Sequence, residues 1–372
     1  MPVGYLLSVL VLAIATFLAL WPRATNGPRA TPAFVIESLS NEAPFLVFFW
    51  LVAATVLAFA QHDIDSPAAA TVVALAGVTT IGLVAVVGRA RRDRPVLDAA
   101  LAGALGAGAR IRGNRGLGRA LLGPLPVPAP TVRRRRNVAY GPAGRFNRLD
   151  VYTNRSRPTG CPTLVYFHPG GFFRGSKDHA ARPVVDRLVR HGWVCVNANY
   201  RLGAAGGFPN HLVDAKRAIA WTREHSDELG ADPHRIVVAG GSAGANLAAM
   251  CALTADQPGF QPGFERADTS VAAAVTLYGY YGPSGDADGM PSAPGDYVRA
   301  DAPPFLVVHG AIDPMASVEA ARRFAHELDS VSTRPVVYAE LPGAQHNFDL
   351  IASIRSAAVA GAIEAFAAAV LR

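Results

Sequence analysis

Three long apolar runs without a charge dominate the first part of the chain; beyond about residue 149 short β-rich runs alternate with longer helical ones. Tyr5 to Trp21 and Pro44 to Ala60 each run seventeen uncharged residues, and Pro67 to Gly88 runs twenty-two. A bilayer core takes about 20 helical residues, so the third run is comfortable and the first two are at the short end. The pattern predicts three transmembrane helices, over about 5–21, 44–60 and 67–88. A cleaved signal peptide is the rival reading of the first run. No Lys or Arg precedes it and no small-x-small cleavage site follows it, which favours a retained helix. A buried core helix is the rival for the second, but the six-residue polar link Gln61 to Ser66 to an equally apolar partner favours a membrane hairpin.

In the second part the alternation predicts strands at Leu149 to Thr153, Thr163 to Phe167, Trp193 to Asn197, Arg235 to Ala239, Val271 to Leu277, Phe305 to Val308 and Pro335 to Glu340. Helices are expected near Ala180 to His191, His211 to Leu229, Ala243 to Leu253, Ala316 to Asp329 and Asp349 to Val370. Such alternation argues an α/β fold, a mostly parallel sheet covered on both faces. Gly282 to Ala302, rich in Gly, Pro and Asp, reads as an irregular insertion bordering a substrate entrance.

Charge divides the chain further. Residues 89–136 hold twelve Arg against Asp93 and Asp98, within a chain of formal charge +7. The stretch has no aromatic residue to stack on bases, so anionic lipid headgroups fit it better than nucleic acid. Val96 to Leu122, with Arg112, Arg115 and Arg119 at helical spacing, reads as a membrane-surface helix or a flexible tether. Pro124, Pro126, Pro128 and Pro130 form a stiff spacer before Arg133 to Arg136. The domain reading is therefore a membrane anchor over 1–94, a basic Gly/Pro-rich tether over 95–136 and a catalytic domain over 137–372. Arg23 and Arg29 follow the first span and Arg89, Arg91, Arg92 and Arg94 follow the third, whereas Asp63 and Asp65 sit in the link between the second and third. The positive-inside rule then places the N-terminus outside and the catalytic domain in the cytoplasm, in a multi-pass protein of the cell membrane. Cys161, Cys195 and Cys251 have neither disulfide-framework nor zinc spacing, and the ten histidines show no paired ligand motif, so no metal or cofactor is expected.

The candidate chemistry begins at Gly240-Gly241-Ser242-Ala243-Gly244, between a predicted strand and a predicted helix. A serine on so sharp a turn presents its hydroxyl clear of the sheet; the bland reading is a tight turn or a dinucleotide loop. His168-Pro169-Gly170-Gly171-Phe172 ends an earlier strand. Its adjacent glycines can aim N–H groups at a developing oxyanion, and since Pro169 has no N–H the donors are Gly170 and Gly171, joined by Ala243. His168 reads as a loop-ordering residue. A serine needs a histidine base steered by a carboxylate. His346 lies in the loop after the last predicted strand and Asp313 in the loop after the strand before it, so both emerge at the serine's edge of the sheet. Asp286, Asp288 and Asp301 belong to the polar insertion, Asp349 reads as a first-turn acid of the last helix, and His309 and Asp214 as structural groups.

These stretches, with Asn199-Tyr200-Arg201-Leu202 and Phe208-Pro209 to Trp221, resemble the hormone-sensitive-lipase-like carboxylesterases over residues 137 to 371. The anchored arrangement is similar to membrane-associated actinobacterial esterase/lipases. The resemblance implies an α/β-hydrolase fold, with Ser242 as nucleophile, His346 as base, Asp313 as its orienting acid, and Gly170, Gly171 and Ala243 as oxyanion donors. Pro169 departs from the family, standing where the first of three glycines is usual. The expectation is a membrane-anchored serine carboxylesterase or lipase acting on acyl esters or lipids. Acyl transfer and amide hydrolysis share its acyl-enzyme, and a non-catalytic hydrolase-fold binding protein is the reading from another class. The sequence leaves acyl length, alcohol and oligomeric state open.

Overall fold

The computed structural model describes residues 3–21, 32–113, 117–121, 130–156, 158–179, 181–255, 257–285 and 289–371. Arg23, Arg29, Arg115, Pro124, Pro126, Pro128, Asp286 and Asp288 lie outside the described residues.

Among the described residues four helices come first: α1 (Val3–Leu20), α2 (Pro32–Glu42), α3 (Pro44–Ala60) and α4 (Pro67–Leu105). Two of them, α1 and α4, are long and apolar enough to cross a membrane. Helix α3 is an apolar helix of 17 residues that meets α2 at a 91° bend. Pro44 stands in the first turn of α3, where its missing N–H has no intrahelical partner to lose. The Ser66 hydroxyl accepts the Ala69 N–H and caps α4, worth about 1 kcal/mol. Their outer faces leave Leu7, Val11, Phe17, Trp50, Ile81 and Val84 exposed, which a water-facing helix bundle would bury.

At the start of the stretch read as a membrane-surface helix or a flexible tether, the described residues do something else. Helix α4 is continuous for 39 residues, past Gly88 and through Pro95 to Leu105. Its last turns bury Leu97 and Leu101 in the core formed with the strands and helices from residue 152 onward, beside Ala109 and Ile111 of the segment that follows. Asp98 accepts the Ile111 N–H at 2.8 Å, and Arg94 donates to the Ile111 carbonyl at 2.8 Å. A short helix, α5 (Leu117–Leu121), follows.

The rest of the chain is built on an eight-stranded sheet among the described residues: β1 (Val132–Ala139), β2 (Arg148–Asn154), β3 (Cys161–Phe167), β4 (Val194–Ala198), β5 (Ala231–Gly241), β6 (Ala273–Leu277), β7 (Phe305–Gly310) and β8 (Val336–Leu341). Its order is β1-β2-β4-β3-β5-β6-β7-β8, with β1 and β2 antiparallel to their neighbours and the rest parallel. The helices α6 (Arg182–Arg190), α7 (Asn210–Glu224), α8 (Ser226–Leu229), α9 (Ala243–Leu253), α10 (Val318–Val331) and α11 (Ile354–Val370) cover the two faces. Strand β5 is central, and its side chains alternate between the two cores, Val238 toward one and Val237 and Ala239 toward the other. Parallel strands buried on both faces read as near-continuous apolar runs, which is why these were visible in the sequence.

Strand β1 was not expected. Arg133 to Arg136, assigned to the tether, are strand residues; Arg133 to Arg135 pair with β2 and the register shifts after them. Arg134 binds Asp150 and Asp178, and Arg135 binds Glu228. Charged side chains of this kind keep an edge strand from pairing with another chain. The last helix is also shorter than expected: it starts at Ile354 behind a Ser353 cap, not at Asp349.

Candidate active site

The parallel strands end on one edge, and the site is assembled from their loops. Strand β5 stops at Gly241 and α9 starts at Ala243, leaving Ser242 alone on the turn at φ 54° and ψ −118°. That conformation is costly for a residue with a Cβ, on the order of 1–3 kcal/mol, and needs its surroundings to enforce it. They do. The Ser242 N–H donates to the Leu277 carbonyl at 3.0 Å and its carbonyl accepts from Ala245 at 3.0 Å and Asn246 at 3.2 Å. A Cβ on Gly240 would lie 2.2 Å from the Gly244 carbonyl oxygen, and one on Gly244 2.1 Å from that of Phe167, so glycine is required at both.

Asp313 follows β7 and His346 follows β8. The His346 Nδ1 is 2.7 Å from Asp313 Oδ2, while Asp313 Oδ1 accepts the N–H groups of Met315 at 2.8 Å and Ala316 at 2.9 Å. Burial opposes the charge on Asp313. His346, the nearby His309 and the Ala316 N–H outweigh it and hold the carboxyl below its ordinary value. A neutral His346 paired this way carries its proton on Nδ1, which leaves Nε2 free to accept one.

Ser242, Ala243, His346, Gly170 and Gly171 line one cavity of about 480 Å³, together with apolar surface from Phe172, Phe173, Met315 and Leu350. This is within the range of small-molecule sites. Gly170 and Gly171 have φ of 144° and 63°, and a Cβ on Gly170 would fall 1.9 Å from the Arg174 carbonyl oxygen. Ala243 opens α9, so its N–H has no carbonyl a turn behind it inside the helix. His168 is buried, stacks on Tyr200 at 4.3 Å, and has Nδ1 2.9 Å from the Pro169 carbonyl; burial drives its pKa down to about 4. Tyr200 also donates to the His168 carbonyl at 2.7 Å. The Asn-Tyr-Arg-Leu stretch thus braces the glycine loop, and Arg201 locks it by a bidentate pair with buried Asp214.

The rivals have other partners. Asp301 is exposed and paired with Arg299. His309 is buried, 3.1 Å from the Ala316 carbonyl and 3.5 Å from Asp313. Asp349 corrects the sequence reading: it is no helix-start acid but a fully buried carboxyl receiving the hydroxyls of Tyr166 at 2.7 Å and of Tyr278. Burial raises its pKa despite those two hydrogen bonds. The Tyr278 ring packs edge-on against His346 at 4.7 Å. Sequence reasoning missed this support, which joins the ends of β3 and β6 to the histidine loop. Its one local signal was a tyrosine directly after an apolar strand.

Known proteins resemble the chain along its whole length. The BD-FAE family model matches residues 149–284. The probable carboxylic ester hydrolase LipM of Mycobacterium tuberculosis is 36% identical over 405 residues, covering 99% of this chain and 93% of that protein. The chain belongs to the hormone-sensitive-lipase-like carboxylic ester hydrolases. Esterase LipQ of the same organism is 39% identical, covering 64% of each protein. Among solved structures, Thermogutta terrifontis esterase 2 phosphorylated by paraoxon superposes with a TM-score of 0.52 at 27% identity, over 60% of this chain and 87% of that one. This ester hydrolase keeps the family's sheet and carries in addition the four N-terminal helices, which lie within the span matched by LipM.

Proposed function

We propose that the protein is a membrane-anchored serine esterase whose catalytic groups are Ser242, His346 and Asp313. Ser242 attacks the acyl carbon of an ester as His346 takes its proton, and Asp313 holds the imidazole in the productive tautomer. The N–H groups of Gly170, Gly171 and Ala243 receive the charge that develops on the carbonyl oxygen, each worth about 3 kcal/mol of transition-state stabilisation. His346 then protonates the departing alcohol, and water activated by the same ring hydrolyses the acyl-enzyme. The observation that carries this reading is the 2.7 Å Asp313–His346 pair opening onto the cavity that Ser242 enters from its strained turn.

The apolar cavity wall suits an acyl chain, and the apolar N-terminal helices support substrates met at a lipid surface. Three spans, α1, α3 and α4, with the catalytic domain in the cytoplasm, fit the arginines that follow Gly88. A reporter fused after residue 94 that is active only outside the cell would overturn that orientation.

In p-nitrophenyl ester assays Ser242→Ala abolishes turnover and fluorophosphonate labelling while the protein stays folded. Asp313→Asn lowers kcat about 10⁴-fold, as loss of the steering carboxylate does elsewhere. A Ser242→Ala protein with near-wild-type turnover would sink the assignment.

A further inference from the structure

Helix α2 has its two faces in two environments. Val35, Ile36 and Leu39 are exposed, while Glu37, Ser38, Asn41 and Glu42 are turned into the molecule. The inward face meets the loop that carries His346. Asn41 Nδ2 donates to the Gly343 carbonyl at 3.0 Å, and the Ser38 hydroxyl donates to Gln345 Oε1 at 3.3 Å, one residue before the histidine. Gly343 is where three helices converge: Arg355 of α11 also reaches its carbonyl, and a Cβ on it would stand 2.6 Å from Arg89 Cδ of α4.

Below that carbonyl lies a buried ionic cluster. The Arg355 guanidinium is fully buried and binds Glu42 of α2 and, through Nε at 2.6 Å, Asp93 of α4; Glu42 also accepts the Ser353 hydroxyl at 2.8 Å. Such a cluster has strict geometry, because a displaced partner leaves a charge unpaired away from water. It clamps α2 and α4 to α11 at the base of the histidine loop.

We propose that the polar face of α2 is a positioning element for the esterase: Ser38 and Asn41, seated by the Glu42–Arg355–Asp93 cluster, hold the 341–350 loop where His346 meets Ser242. The exposed apolar face of α2, at right angles to α3, is then the side that lies on the lipid surface, so the bilayer anchor reaches the catalytic base through one helix. This rests on the assignment of His346 as the base.

The test compares kcat and KM for p-nitrophenyl butyrate in full-length protein held in phosphatidylcholine nanodiscs. Ser38→Ala/Asn41→Ala lowers kcat about tenfold with KM within twofold, Ser38→Ala alone lowers it about threefold, and Ser38→Thr, which keeps the hydroxyl, restores it. Glu228→Ala, which removes a surface partner of Arg135, leaves both constants unchanged. If the double variant does not fold, the contrast between Ser38→Ala and Ser38→Thr decides. Wild-type kcat in Ser38→Ala/Asn41→Ala, or equal loss in Ser38→Ala and Ser38→Thr, overturns the proposal. Ser242→Ala in the same discs separates the two failures: residual turnover there refutes the esterase assignment, whereas an inactive Ser242→Ala beside a fully active double variant refutes only the role of α2.

Discussion

At the scale of single residues, the site depends on groups kept uncharged or charged against their surroundings. His168 and His211, the latter stacked at 4.6 Å on Phe172 of the glycine loop, are both buried, and burial takes each from an ordinary 6.5 to about 4. A lowered folded pKa means that the unfolded chain binds the proton more readily. The stability tied to the neutral rings is therefore whole above pH 6.5 and is lost as pH falls toward 4, by up to about 3 kcal/mol per ring. Thermal melts should show the midpoint dropping steadily between pH 6.5 and 4, and His211→Gln should flatten that slope. A slope unchanged in His211→Gln would contradict burial as the cause. Ser242, Asp313, His346 and the glycine pair could be proposed from sequence because each sits in a short stretch whose spelling is fixed by its own turn. Asp349, Tyr166 and Tyr278 could not: the three come from loops and strand ends far apart in sequence, and nothing adjacent to any one of them names the other two.

At the scale of elements, the six parallel strands, β3 to β8, were legible because burial on both faces demands unbroken apolar residues. Two elements were not, for opposite physical reasons. In β1 four consecutive arginines hide the period of two, and its charge is answered by Asp150, Asp178 and Glu228 on other segments. In α2 the usual order is reversed, with polar residues inward and Val35, Ile36 and Leu39 outward, so it does not read as a soluble helix. The cluster joining α2, α4 and α11 makes its own prediction. Removing Arg355 alone, as Arg355→Met, strands two buried carboxylates and should cost about 3–5 kcal/mol, seen in chemical denaturation. Arg355→Met/Glu42→Leu/Asp93→Leu should recover at least half of that loss, since three apolar groups leave no charge unpaired. A triple variant no more stable than Arg355→Met would show that the charges themselves are needed for folding.

At the scale of the whole molecule, α4 is the feature with the widest consequence. Its 39 residues make a rod about 58 Å long. About 20 residues suffice for hydrocarbon, so in the proposed arrangement the remaining turns run on into the hydrolase core without a joint. An enzyme on a slack leash would sample every height above its membrane; one built on a continuous mast stands at a single elevation and tilt. Selectivity then follows the depth of the scissile bond below the headgroups more than the length of the fatty chain. Lipids whose ester is stepped carbon by carbon down the chain should give a sharp optimum in nanodiscs and a flat profile in detergent solution, and equal profiles in the two would dismiss the idea.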